Sequence, residues 1–384
     1  AWARAGDLYF QAEEYARAKR SYQGLLDNFA GSPAAALGML RVGQCEYNAG
    51  NDAAALESYS AVIAAYPATP IADEATRGME AALYRLGQRD GGVEQLAELI
   101  ERYPGSAFAA DAQFRIASKL YEDGQFAAAA EEFRRVVSRF PSYSAADRAQ
   151  YLMGDAWSQA GQDATARQSF EQFLVFFGDS ELRTMVRFRL GMIYFAEEDY
   201  FRAATNFTDV LERDPDGETA RASLYNLALC KRLLGDQPSA ATDFAQYRAK
   251  YPGDERAAAV AFQIADIHDL LGETSQAIAV LEEAAAEGPE EPLRTEIWFR
   301  LGSCREKLED RDGALAAYVK AAAAKDRSDA FRLSAVARSA ALYEENEDYA
   351  NALAAYRDLM NNAQDPELKL AASGRASELA AAIE

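Results

Sequence analysis

The chain has 384 residues, of which 61 are acidic and 40 basic, giving a formal net charge of −21. That balance argues against a binder of phosphate backbones, which needs a basic stripe, and a hydrophobic share of 49% excludes a disordered chain. No apolar run approaches the roughly 18 residues that span a bilayer, and the dominant Ala, Glu, Leu, Arg and Gln all favour helix.

A fixed period organises the sequence. Proline stands at Pro67, Pro104, Pro141, Pro215, Pro252 and Pro289, with gaps of 37, 37, 74, 37 and 37, and the skipped beat is Gly178. An aromatic residue precedes this site at Tyr66, Tyr103, Phe140, Phe177 and Tyr251. Glycine keeps the same beat at Gly50, Gly87, Gly124, Gly161, Gly235 and Gly272. A small residue keeps it too, at Ala18, Ala55, Gly92, Ala129, Ala166, Ala203, Ala240, Ala277 and Ala314, slipping by one to Ala352. Four columns in one register predict a helix-turn-helix unit repeated about ten times.

Taken in chain order, the first repeat starts inside its own helix at Ala1-Trp2-Ala3-Arg4, which has neither a Met nor a signal-peptide pattern. An address or lipid anchor is expected upstream of it. The third repeat departs from the pattern, with Glu80 where Gly is expected and Gly92 where Ala is expected. Gly92 in a helix would cost roughly 1 kcal/mol, so this repeat is predicted to be the softest. The fourth shows the period most clearly: Ile116, Ala117 and Leu120 share one face of a first helix, and Ala129, Phe133, Val136 and Val137 share one face of a second. Gly124 lies between them, where a helix ends in the left-handed conformation that glycine adopts cheaply. Tyr-Pro pairs stop each second helix. Residues 1–365 are thus assigned to ten repeats of about 37 residues and 366–384 to a capping helix, with Leu368, Leu370, Leu379 and Ile383 on its apolar face.

In the sixth repeat, Leu190-Gly191, Tyr194, Ala203, Phe207 and Pro215 resemble the tetratricopeptide signature, and Trp298, Leu301-Gly302, Ala314 and Tyr318 resemble it again. The resemblance implies an all-α, right-handed superhelical solenoid. The long repeat and its Tyr-Pro-Gly-Ser and Tyr-Pro-Gly-Asp endings (residues 103–106 and 251–254) are similar to bacterial envelope proteins of the outer-membrane-assembly lipoprotein and Tol–Pal coordinator types. That implies a periplasmic or outer-membrane-associated setting, with the cytoplasm as the alternative.

The resemblance also implies that the residue after the Trp column points into a concave groove. Here that column reads Phe114, Tyr151, Phe188, Tyr225, Phe262 and Phe299. A second column seven residues on, two helical turns away on the same face, reads Phe10, Tyr47, Tyr84 and Tyr121 and returns at Phe195. Two readings stand side by side: rings packed between repeats, or an aromatic-lined groove for a peptide or helix. Groove columns toward the C-terminus carry Asp266, Asp269, Glu306, Glu344 and Glu345 with Lys307 in opposition, so a basic or neutral partner segment is expected there. The carboxylate clamp of chaperone-binding relatives needs Lys and Asn columns, which here hold aromatics and Asp155, Met192, Leu229 and Asp266.

Catalytic chemistry is not in evidence. The single histidine, His268, falls in the Tyr column and is expected to pack between helices. No phosphate loop, dinucleotide fingerprint or His/Cys metal cluster appears, so no cofactor or metal is expected. Cys45, Cys230 and Cys304 share one column, an odd number at whole-repeat spacing, and are predicted to be buried free thiols. The leading reading is a non-catalytic protein-binding scaffold in a cell-envelope complex. A chaperone-like holder of extended clients is the alternative, and an enzyme with a novel site is a remote third.

Overall fold

The computed structural model describes every residue except Asp90 and Glu384, and the backbone but not the side chain of Ile383. Among the described residues there are 21 helices and no strand. The chain divides into two compact units, residues 1–186 and 187–384.

The first unit holds α1 (Trp2–Gln11), α2 (Tyr15–Phe29), α3 (Pro33–Asn48), α4 (Asp52–Ala65), α5 (Pro70–Gly87), α6 (Val93–Arg102), α7 (Ala109–Glu122), α8 (Phe126–Arg139), α9 (Ala146–Gln159), α10 (Asp163–Phe176) and the start of α11 (Arg183–Ala196). The second holds the rest of α11, then α12 (Tyr200–Arg213), α13 (Ala220–Leu233), α14 (Gln237–Lys250), α15 (Ala257–Leu270), α16 (Thr274–Ala286), α17 (Leu293–Lys307), α18 (Arg311–Ala322), α19 (Ala330–Glu345), α20 (Tyr349–Asn362) and α21 (Pro366–Ile383). Odd-numbered helices up to α19 are the first helices of repeats, and even-numbered ones the second. First helices of neighbouring repeats also touch one another, α3 with α5 and α17 with α19, which makes the first-helix side the tighter, inner face of each unit.

The repeat columns have physical counterparts. Every alanine of the small-residue column, from Ala18 to Ala352, is fully buried. So is the second-helix ring column that includes Tyr22, Phe133, Phe170, Phe207, Phe244 and Tyr318. These rings press directly on the first helix of their own repeat. A Cβ added at Gly154, Gly191 or Gly302 would lie 2.6 Å from the ring of Phe170, Phe207 or Tyr318. Second helices stop alike at Tyr66, Tyr103, Phe140 and Tyr251, each with φ between −126° and −131°, because the residue before proline is pushed out of the α region. Phe177 adopts φ −128° before Gly178 as well, so the loop form survives the missing proline.

The turn inside each repeat needs a left-handed residue. Gly50, Gly124, Gly161, Gly235 and Gly272 supply it with φ between 73° and 86°. Where the beat holds no glycine, Glu13, Glu198, Glu309 and Glu347 take φ of 58° to 62° instead.

The third repeat is corrected by the structure. Gly87 is the last residue of α5, and Gly91 is the left-handed residue, with φ 79°. The whole turn has therefore slipped by one helical turn, lengthening α5 and shortening α6. Gly92 caps the start of α6 and is not inside it. A Cβ there would lie 2.5 Å from the Leu86 carbonyl oxygen and 2.6 Å from the Gly87 Cα, so the glycine is required by close backbone approach.

The cap is largely as expected. In α21, Ala372, Ala376 and Leu379 are buried and Leu368 half-buried, but Leu370 is 75% exposed and faces solvent. The expectation for the side chain of Ile383 lies outside the described residues. The last repeats are further pinned by Arg332, which is fully buried and donates to the Ala322 and Arg327 carbonyls at 3.0 Å and to the Asp358 carboxylate.

Cys45, Cys230 and Cys304 are free and buried. Burial pushes the Cys45 thiol up to about 11 and the Cys230 thiol up to about 12, away from the reactive thiolate. Thiol titration of the native protein should find little reaction, and unfolding should release three thiols; a fast-reacting native thiol would contradict this packing.

Gly92→Ala should lower stability by about 1 kcal/mol or more, since backbone must move to admit the methyl. Conversely, Glu198→Gly and Glu309→Gly should each add roughly 0.5 kcal/mol. Relief of left-handed strain, about 1–2 kcal/mol, exceeds the entropy cost of glycine, about 0.5–1 kcal/mol. Urea denaturation followed by circular dichroism reads both signs, and a more stable Gly92→Ala protein would restore the ordinary-helix reading.

Candidate partner-binding face

The first aromatic column lies along the inner, first-helix face of each unit. Phe114 and Tyr151 belong to the first unit and Phe188, Tyr225, Phe262 and Phe299 to the second. Five of these rings are half-buried and share one geometry. Each leans on the buried second-helix ring nineteen residues on: Phe114 on Phe133 at 5.5 Å between centroids, Tyr151 on Phe170 at 6.0 Å, Phe188 on Phe207 at 6.1 Å, Tyr225 on Phe244 at 6.0 Å and Phe299 on Tyr318 at 5.9 Å. One side of each ring is thus fixed by the core while part of it stays accessible. Both sequence readings are present in the same side chain. Phe262 is the exception: Leu281 replaces the backing ring, Arg300 covers it at 5.0 Å, and only 7% is exposed. The expectation that Phe262 lines a binding surface is corrected, since the residue is core.

The second column is half-buried and more heavily engaged. The Arg85 guanidinium lies 3.6 Å from the ring centre of Tyr47 and is itself tied to Asp52. Tyr84 stacks on Phe108 at 4.7 Å and donates its hydroxyl to Asp111 on the next first helix. Tyr121 packs edge-on to Phe126 at 5.3 Å and donates to Asp155 of the next first helix. Phe195 packs edge-on to Tyr200 at 5.5 Å. The tyrosine hydroxyls therefore staple neighbouring repeats, which limits what a partner could take from them.

Asp111 is the hub of one such staple. It accepts from Tyr84, from the Tyr143 hydroxyl at 2.8 Å and from Arg115 Nε at 2.6 Å. Burial alone would raise its carboxyl, but the two hydroxyls and the guanidinium outweigh burial and hold it below the ordinary carboxylate range.

The expected acidic surplus at the C-terminal end of this face is also corrected. Asp266 is paired with Arg300, Asp269 with Lys307 at 2.5 Å, Glu306 with Arg338, Glu344 with Arg375 and Glu345 with Arg311 at 3.3 Å. Glu306 and Glu344 further accept from Tyr318 at 2.8 Å and Tyr356 at 2.6 Å. Each cation comes from a different repeat than its carboxylate, so pairing at offsets of 31 to 38 residues neutralises what looked like bare charge. Asp266, Asp269 and Phe299 do meet around one hollow of about 230 Å³ in the second unit.

One hollow of this face was not foreseen from the sequence. Arg41, Gln44 and Glu74 surround a hollow of about 390 Å³ floored by Tyr59, with Gln44 donating to Glu74 at 2.8 Å. The hollow exists because Gly78 lets the Tyr59 ring sit flush against α5, and that glycine was the available signal. His268 is partly buried, with its Nδ1 2.8 Å from the Glu273 carboxylate. Among the described residues no group of His, Cys, Asp and Glu could hold a metal ion, and no helix is long and apolar enough to cross a membrane.

The tetratricopeptide-repeat family pattern matches residues 4–70, 82–144, 114–181, 188–255 and 262–330. The chain belongs to the tetratricopeptide-repeat family. Solved structures of similar fold include the C-terminal part of a tetratricopeptide repeat-containing protein from Cytophaga hutchinsonii, at 17% identity, 67% of this chain, 98% of that one and a TM-score of 0.39. A tetratricopeptide repeat protein from Parabacteroides merdae gives 15% identity over 69% of this chain and 92% of that one, at TM-score 0.37. Yeast Tom70 gives 14% identity over 99% and 95%, at TM-score 0.36. A search of the curated proteins finds no significant match. The matched stretches include every aromatic of the first column, so those rings sit on tetratricopeptide first helices.

Because the Asp111 carboxyl titrates below its unfolded value, its stabilisation is present above the unfolded pKa and is lost as pH falls through the lower folded one. Asp111→Asn should cost roughly 1–2 kcal/mol at neutral pH. The gap in melting temperature between the two proteins should narrow as pH falls from 7 toward 3. A gap that stays constant would show that the Tyr84–Asp111–Tyr143 staple does not depend on the charge.

Proposed function

We propose that this tetratricopeptide-repeat chain is a non-catalytic scaffold that holds a segment of a protein partner on its first-helix face. The observation that carries the reading is the recurrence of half-exposed rings at Phe114, Tyr151, Phe188, Tyr225 and Phe299, each backed by a buried second-helix side chain. A backed ring loses little conformational freedom on contact, which is what an aromatic hot spot requires. The segment is read as apolar and near neutral, since Asp266, Asp269 and Glu306 already have cationic partners. The Tyr-Pro-Gly endings and the 37-residue period support a place in a bacterial envelope complex.

Native cross-linking of envelope and cytosolic fractions identifies the partner and tests the compartment. With that partner in hand, Phe188→Ala combined with Tyr225→Ala should weaken binding by more than about 2 kcal/mol. The helical circular-dichroism signal should persist. Unchanged affinity together with a sharply lower melting temperature would assign these rings to the core and sink the scaffold reading of this face; a partner drawn only from the cytosolic fraction would sink the envelope reading.

A further inference from the structure

One hollow of the second unit lies on the side of the second helices, away from the aromatic column. It is a groove of about 680 Å³ between the second helices α14 and α16, floored by α15. Ala241, Ala245 and Ala249 form one wall, Ile264 and Leu271 the floor, and Val280 the facing wall. Two earlier repeats differ here. In the columns that hold Ala245 and Ala249, α8 carries Arg134 and Ser138, and α12 carries Thr208 and Glu212. The same place one repeat earlier is a smaller hollow of about 460 Å³. With alanine at both positions, α14 projects nothing across the groove there, whereas Arg134 of α8 and Glu212 of α12 are long.

Its mouth is charged. Glu273, Glu283 and Glu287 line it, with Glu283 73% exposed, against one guanidinium, Arg248, which is drawn in to 11% exposure. Arg248 lies 2.7 Å from Glu287 and 3.7 Å from Glu283, and Glu273 is met only by His268. Three carboxylates against one permanent cation leave negative charge at the rim, unlike Asp266, Asp269, Glu306, Glu344 and Glu345, each of which has a cationic partner.

We propose that this groove docks a basic amphipathic helix of a partner protein, at a site separate from the aromatic face. Away from the charged rim, Ala241, Ala245, Ala249, Ile264 and Val280 offer an extended segment no side-chain hydrogen-bond partners, so the backbone groups it laid there would be left costly and unpaired. A helix satisfies its own backbone and needs only a ridge of apolar side chains. Small residues on α14 let such a ridge approach closely. The wall from Pro238 to Ala249 runs roughly 17 Å, about three helical turns. Lys or Arg beside the ridge would meet the rim carboxylates, which selects a basic helix over an acidic one.

The probe is a fluorescein-labelled 18-residue model helix with a Leu/Ala ridge flanked by Lys, paired with a twin flanked by Glu, both read by fluorescence anisotropy on the full chain. The Lys helix should bind at least tenfold more tightly than its twin. Ala245→Gln with Ala249→Gln fills the wall with helix-compatible side chains and should weaken binding at least tenfold. Glu283→Gln should reduce the preference for the Lys helix. Leu370→Ala, on the exposed side of the cap, should leave this binding unchanged. Circular dichroism checks that each variant folds. Equal binding of the two helices, or wild-type binding by the filled variant, would overturn the proposal. Dimerisation of the wild type in sedimentation, lost in the filled variant while neither helix binds, would overturn it in favour of a second copy of this chain.

Discussion

The contact on which the repeat depends is the closure of each helical pair by a ring pressed against bare backbone. Phe170 lies on Gly154, Phe207 on Gly191 and Tyr318 on Gly302, at separations that leave no space for a Cβ. Where the first helix instead carries Ala117 or Ala228, the methyl is buried beside Phe133 or Phe244. A ring buried this deeply is worth several kcal/mol against truncation. Because stability in a solenoid is close to a sum over repeats and their interfaces, the contact recurs as an independent term in each. The buried alanine column does the complementary job on the second helix.

The candidate binding face is built on the same contact. The second-helix ring that closes the pair also backs the half-exposed ring on the first helix, as Phe207 does for Phe188 and Phe244 for Tyr225. Core and surface are consequently two sides of one aromatic pair. Repeat eight illustrates the dependence: Leu281 replaces the backing ring, and Phe262 sinks into the core. A surface ring at this column therefore depends on an aromatic residue nineteen positions later, a rule that periodicity within a single helix does not contain.

Much of this was legible because a 37-residue period repeats the same physics many times over, so the alanine column, the Tyr-Pro stops and the buried cysteines all follow from aligned columns. What escaped was whatever the period does not repeat. The slip in the third repeat moves the left-handed residue from Gly87 to Gly91, and a Gly-Gly pair at Gly91-Gly92 was its only local trace. Left-handed Glu198 and Glu309 were invisible because glutamate has no preference for that conformation; only their place on the glycine beat could have marked them. The acidic columns misled for a different reason. Their partners Arg300, Arg338 and Arg375 lie 31 to 34 residues away in other columns, and a list of same-face carboxylates does not include the neighbouring repeat's cations.

Pairing on one face and surplus on the other has a physical consequence for how the two would bind. Partly exposed ion pairs between repeats contribute little stability each, but they remove the long-range field that an array of bare carboxylates would create. An approaching segment at the aromatic face then meets mostly polarisable ring surface, whose attraction is short-ranged and insensitive to salt. At the α14–α16 groove the rim keeps net negative charge, felt out to about 8 Å at physiological ionic strength. Encounter there would be steered, while retention would rest on the apolar walls. A chain with a net charge of −21 thus need not be electrostatically uniform, and the distribution of its pairs separates a face that discriminates by shape from one that also discriminates by charge.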